Sequence, residues 1–301
     1  MAFEKNGGFE NRNLLAFNAF SPEVLTALET KVERKTGNNR PKLEDFAGLY
    51  SKEDIEKDLA YIKNKEIQFS EKYTDDAFGV EHSVEEKKIA SIAEAIVTDK
   101  LEGWLGGKGI CIPTSLYDDY KHGVDVVIEF PEGEDTPNSY LGLGLDVTTG
   151  KSDILEGKLK RIRSFDVDQE KNTTLKYFDS EEIRGALEVP RVVLAIDKEV
   201  TLPDLFKLEY RGKTQELLDH PFQYVALYQL FMQCNAFALE AQAKGKQKSF
   251  LLYGHANNML HAILEERKDE FFKHKDLIFG DATVQKMAKI LGREDLLTNF
   301  Q

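Results

Sequence analysis

Two aspartates stand in segments that are otherwise apolar. Asp125 interrupts Gly123-Val124-Asp125-Val126-Val127-Ile128-Glu129-Phe130, and Asp146 closes Leu143-Gly144-Leu145-Asp146. A carboxylate withdrawn from water is costly unless it meets a cation or a metal. Two such acids converging from adjacent strands at one edge of a sheet form a hard-oxygen site suited to Mg2+ or Mn2+. Spacing alone equally allows one acid on a solvated face and the other capping a turn, since acids at strand ends are common. Other chemistries lack their residues. There is no phosphate-loop lysine motif, GxGxxG, HExxH or GxSxG, and Gly142-Leu143-Gly144-Leu145 fits close backbone approach within a strand better than a phosphate cradle. Cys111 and Cys234 form no CxxC or Cys/His cluster and are expected to be buried thiols in a reducing compartment.

These acids need elements to hold them. Ser21-Pro22-Glu23 opens a helix with Val24, Leu25, Leu28 and Val32 on one face, and Ser51-Lys52-Glu53-Asp54 opens a second. Ser83-Val84-Glu85-Glu86 caps a stronger amphipathic helix through about Leu105, with a stripe of Ile89, Ile92, Ala93, Ile96, Val97 and Leu101. The period then becomes that of strands at 109–113, 123–130 and 140–149, with an exposed hairpin loop over 131–138. Asp153 and Glu156 cap a helix through Leu155, Leu159 and Ile162, and a polar insertion follows over about 166–182. Arg191–Asp197 reads as a buried, interior strand. A nearly all-apolar helix over 221–243, with Tyr228, Phe231 and Met232 in the core, and a strand over 249–253 complete the pattern. The expected fold is α/β, a mixed central sheet flanked by helices. A helical N-terminal extension (1–80), an α/β core (81–255) and a helical C-terminal segment (256–301) divide the chain.

The run from the 83–105 helix through Asp125 and the hairpin to Leu145-Asp146-Val147-Thr148 resembles the PD-(D/E)XK, or restriction-endonuclease-like, nuclease core. The resemblance covers roughly 83–200. It implies a restriction-endonuclease-like core with Asp125 and Asp146 as metal ligands, the Val147 carbonyl as a further ligand, and Glu94 as the helix-borne acid. Thr148 occupies the position of the family's lysine, and a hydroxyl cannot replace an ammonium. Lys158, on the following helix, is the preferred substitute, and Lys151 in the turn is the second. The implied activity is metal-dependent cleavage of DNA or RNA. The competing reading is a catalytically inactive nuclease-fold module that binds nucleic acid or a protein partner.

Charge narrows the partners. A formal net charge of −13 repels phosphate overall, so nucleic acid requires a local basic patch. The stretch carrying Lys151, Lys158, Lys160, Arg161 and Arg163 is the candidate, with a solvated helix face as its ordinary explanation. His220 fits helix capping better than acid–base work, while Gln223 and Tyr224 could face the metal edge. The N-terminus lacks the pattern of a secretory signal and no segment reads as a membrane span, so a cytoplasmic protein is expected.

Overall fold

The computed structural model describes residues 17–36, 39–74, 80–130, 141–149 and 152–298. Helices α1 (Pro22–Thr36), α2 (Lys52–Thr74) and α3 (Val80–Trp104) lead into strand β1 (Ile110–Pro113), helix α4 (Leu116–His122), strands β2 (Val126–Phe130) and β3 (Leu141–Thr148), and helix α5 (Ser152–Ile162). A π-helical turn, Arg163–Asp168, precedes strands β4 (Thr173–Asp179), β5 (Arg184–Val189) and β6 (Arg191–Ala195). The rest is helical: α6 (Thr201–Tyr210), α7 (Thr214–Leu218), α8 (Phe222–Ala243), α9 (Gln247–Glu266), α10 (Lys268–Lys273), α11 (Lys275–Gly280) and α12 (Ala282–Leu291).

The central sheet runs β1-β2-β3-β6, antiparallel except for the parallel β3–β6 pair, and β4–β5 form a separate hairpin. This is the expected α/β arrangement, a mixed sheet flanked by helices with helical N- and C-terminal parts. Alternation along the strands sorts their side chains. Val126 and Ile128 of β2, with Leu143 and Leu145 of β3, join the α3 stripe, Leu155 and Leu159 of α5, and most of α8 in the main core. Val127, with Val124 just before β2, instead packs on Leu175, Phe178, Leu187 and Val189 of the β4–β5 hairpin. Gly144 permits that second contact: a Cβ there would lie 3.0 Å from Val189 and 3.2 Å from Val124. The two glycines of β3 thus serve close approach, as their sequence setting suggested.

Several expectations need correction. The segment 249–253 is helical, lying in α9. Its Tyr253 continues into Ala256, Leu260, Ile263 and Leu264, a three–four spacing that buries one face against α8. β6 is fully buried but is the outermost described strand of the sheet rather than an interior one. Its edge is closed by α8: the Gln233 carboxamide accepts from Val193 N–H at 2.8 Å and donates to Val193 O at 2.7 Å. Gln229 does the same for Ala195, at 2.9 Å in both directions. Two side chains one helical turn apart therefore complete the ladder that a further strand would have supplied. The helix expected to open at Ser83 begins at Val80, and the polar stretch 166–182 contains β4. Helices α4, α6 and α7 were not expected. The 131–138 loop and Lys151 lie outside the described residues.

Candidate metal centre

Helix α4 is short and fastened at both ends, which fixes what it carries. Ser115 caps its start, accepting from Asp118 N–H at 3.1 Å and donating to Asp118 Oδ2 at 2.8 Å. The chain leaves the helix through Gly123 at φ 65°, a left-handed conformation in which a Cβ is strained. The buried Asp118 also accepts from the backbone N–H groups of Lys176 and Tyr177, at 2.7 and 2.9 Å, and so ties α4 to β4. The next residue, Asp119, is thereby held toward the start of β2.

There Asp125 lies opposite Asp146 in continuation of the β2–β3 register, and its N–H donates to Leu145 O at 2.8 Å. Its carboxylate accepts from Val147 N–H at 2.7 Å. Glu94 of α3, Asp119 of α4 and Asp125 each bring a carboxylate oxygen to within 4.8 Å of the other two. Asp146 adjoins this set but is engaged by Lys158 of α5, whose Nζ stands 2.5 Å from Asp146 Oδ1. Arg40, from the loop after α1, reaches in from the N-terminal part. Its guanidinium pairs with Glu94, stands 3.1 Å from Asp119 Oδ2 and donates to Thr114 O at 3.3 Å.

Charge does not balance in this enclosure. Four carboxyl groups face two cations, because the nearby Arg191 is committed to Asp166 at 2.7 Å. Burial, with Asp119 and Asp146 adding to it against Arg40, raises the Glu94 carboxyl to about 7. Asp125, fully enclosed, is raised well above the ordinary carboxylate range by burial first, then by Glu94, Asp119 and Asp146. Burial likewise raises Asp119 against Arg40, and Asp146 against Lys158. With all four ionised, two negative charges stay uncompensated, which is the charge of one divalent cation. All the donors are hard carboxylate oxygens on fixed elements, a set that fits Mg2+, Mn2+ or Ca2+ and not a soft metal.

The structure thus gathers Glu94 and Asp125 with Asp119, and places Asp146, Lys158 and the Val147 backbone beside them. Thr148 is buried at the end of β3. The other proposed polar residues are engaged elsewhere. Gln223 accepts from Arg267, whose guanidinium also lies 4.7 Å from the Tyr224 ring centre. His220 Nδ1 accepts from Phe222 N–H at 3.2 Å at the start of α8, a capping role. In the basic stretch, Lys160 pairs with Glu156 at 2.7 Å and Arg163 with Glu240 at 2.9 Å, while Arg161 is exposed. Cys234 is buried and Cys111 partly so, and burial pushes the Cys111 thiol up to about 12.

Asp119 and Arg40 were missed in the sequence. Asp119 had a signal: Ser115-Leu116-Tyr117-Asp118 is a capping box closed by Gly123, which places an acid in the first turn of a helix just before Asp125. Arg40 lies 85 positions before Asp125 in a loop and has no local signature. Comparison with protein-family models, with curated proteins and with solved structures finds no match for this chain. Among the described residues no helix is long and apolar enough to cross a membrane.

Proposed function

We propose that this centre binds a divalent metal and hydrolyses phosphodiester bonds in DNA or RNA. One observation carries the reading: three carboxyl groups from α3, α4 and the start of β2 bring oxygens within 4.8 Å of one another, in a largely buried group with two more carboxyls than cations. The proposed ligands are Asp125, Asp119 and Glu94, with Asp146 adjoining. A bound Mg2+ or Mn2+ would polarise the phosphoryl oxygen and lower the pKa of a coordinated water. The chain's own cations do the rest. Lys158 is oriented by Asp146 and supplies the positive group that Thr148 cannot, while Arg40 is placed to meet a phosphate oxygen once its acids are taken by metal. On this reading the mixed sheet and its acids would correspond to a restriction-endonuclease-like core, with the lysine moved from the strand to the next helix.

The test is cleavage of single- and double-stranded DNA and RNA with Mg2+ or Mn2+, by wild type, Asp125→Asn and Lys158→Ala. The expected result is metal-dependent cleavage, abolished in Asp125→Asn and reduced on the order of 10²-fold in Lys158→Ala. A catalytically inactive binding module is the second reading. Thr148 and the engagement of Glu94 and Asp119 by Arg40 favour it, and cleavage of none of the substrates would select it.

A further inference from the structure

Beside the acid group lies an open cleft of about 670 Å³, and Asp119 belongs to the walls of both. The cleft is basic on a chain of net charge −13: Lys121, Arg161 and Lys171 are exposed on it, and Arg191 lies deeper. Flat apolar surfaces accompany them. Phe165 is exposed at the rim, and Phe69 of α2 meets Tyr120 of α4 edge-on with ring centres 5.5 Å apart. Asn172, in the segment just before β4, lines the same cleft. Its side chain is 8% exposed, and neither the oxygen nor the nitrogen of its carboxamide has a hydrogen-bond partner. A buried amide left unpaired is costly, and few native groups are left so. Turned into the cleft, the carboxamide would offer a donor and an acceptor side by side to a ligand that presents the complementary pair.

We propose that this cleft is a nucleotide subsite, in which a base stacks on the aromatic walls, its edge is read by Asn172, and its phosphate lies against Arg161 and Lys171. An asparagine carboxamide matches a base edge that presents an amino donor next to a ring-nitrogen acceptor, as adenine does. Aromatic faces accept a base with little sequence preference, and exposed cations hold its phosphate in a salt-dependent manner. The inference rests on the phosphodiester reading of the neighbouring acids and extends it: the base would belong to a nucleotide flanking the scissile bond.

The experiment titrates adenosine 5′-monophosphate into the full chain in EDTA by isothermal calorimetry, beside adenosine and inorganic phosphate. Mn2+ binding is measured separately on EDTA-free protein. Saturable nucleotide binding is expected, tighter than that of inorganic phosphate and weakened by salt. Asn172→Ala should weaken it about tenfold or more, the discrimination a bidentate base contact provides. That variant removes an unpaired buried group, so it should fold at least as well as wild type; Arg161→Ala, on the surface, gives a second reduction. No saturable binding, binding unchanged in both variants, or inorganic phosphate binding as tightly as the nucleotide overturns the subsite. Asn172-dependent binding without Mn2+ uptake supports the subsite and removes the hydrolase reading. Mn2+ uptake without it does the reverse.

Discussion

At the residue scale, Arg40 decides how the acid group behaves without metal. It is the only described cation ion-paired with both Glu94 and Asp119, and its side chain keeps 23% exposure. Removing one partner of a largely buried charge pair strands the other. Arg40→Ala should therefore destabilise the metal-free protein by about 3 kcal/mol, toward the lower end for such pairs because of that exposure. The same change should strengthen Mn2+ binding on the order of tenfold, since arginine and metal draw on the same oxygens and a coupling of ~1–3 kcal/mol is usual. Urea unfolding in EDTA reads the first effect and calorimetric Mn2+ titration the second. Weaker Mn2+ binding in the variant would show that the arginine supports the ion instead of competing with it. Such pairings set the limit of what residues disclose in order. Asp125 was legible because it breaks an apolar run of sequence, and Glu94 through the resemblance. Arg40 was not, since its role exists only once a loop from the N-terminal part folds onto α4.

At the element scale, α8 does the work of a missing strand. Its apolar composition announced a buried helix, and Tyr228, Phe231 and Met232 are in the core as expected. Gln229 and Gln233 interrupt that run. Their spacing of four places them on one face, where each meets both backbone groups of a β6 residue. Gln233→Leu keeps the volume but leaves Val193 N–H and O unpaired in a dry interior. A loss of about 2–6 kcal/mol is expected, at ~1–3 kcal/mol for each of the two stranded groups. A midpoint in urea within error of wild type would mean that these bonds contribute nothing net. The short run 249–253 failed as a strand for a related reason. Five residues rich in Phe, Leu and Tyr suit either state, and only the spacing that continues to Leu264 selects the helix. Strands β2 and β3 were clearer, because turn-forming residues and alternation agree there.

At the scale of the whole molecule, the acid group should write itself into the dependence of stability on pH. Glu94 titrates at about 7 in the folded chain, above its ordinary value of 4.5, and Asp119, Asp125 and Asp146 are displaced in the same direction. In that window the folded state holds protons that the unfolded state has released. The stabilisation is therefore complete below about pH 4.5 and is lost as pH rises through about 7. His122, held down to about 4 by burial and by Arg191 and Lys121, acts oppositely up to its ordinary 6.5. The difference between wild type and Glu94→Gln isolates the carboxyl from that background. In EDTA, the melting temperature of wild type relative to Glu94→Gln should fall from pH 4.5 to 7.5. A metal reverses the slope, because it binds only the deprotonated oxygens and stabilises in proportion to its affinity. The rise in melting temperature produced by saturating Mn2+ should then grow from pH 5.5 to 7.5 in wild type and be smaller in Asp125→Asn than in wild type. Calorimetric scans at matched ionic strength measure both. A wild-type difference that does not fall with pH in EDTA would mean that Glu94 is ionised throughout, held by Arg40. A Mn2+ shift independent of pH, or equal in Asp125→Asn, would place the ion somewhere other than these acids.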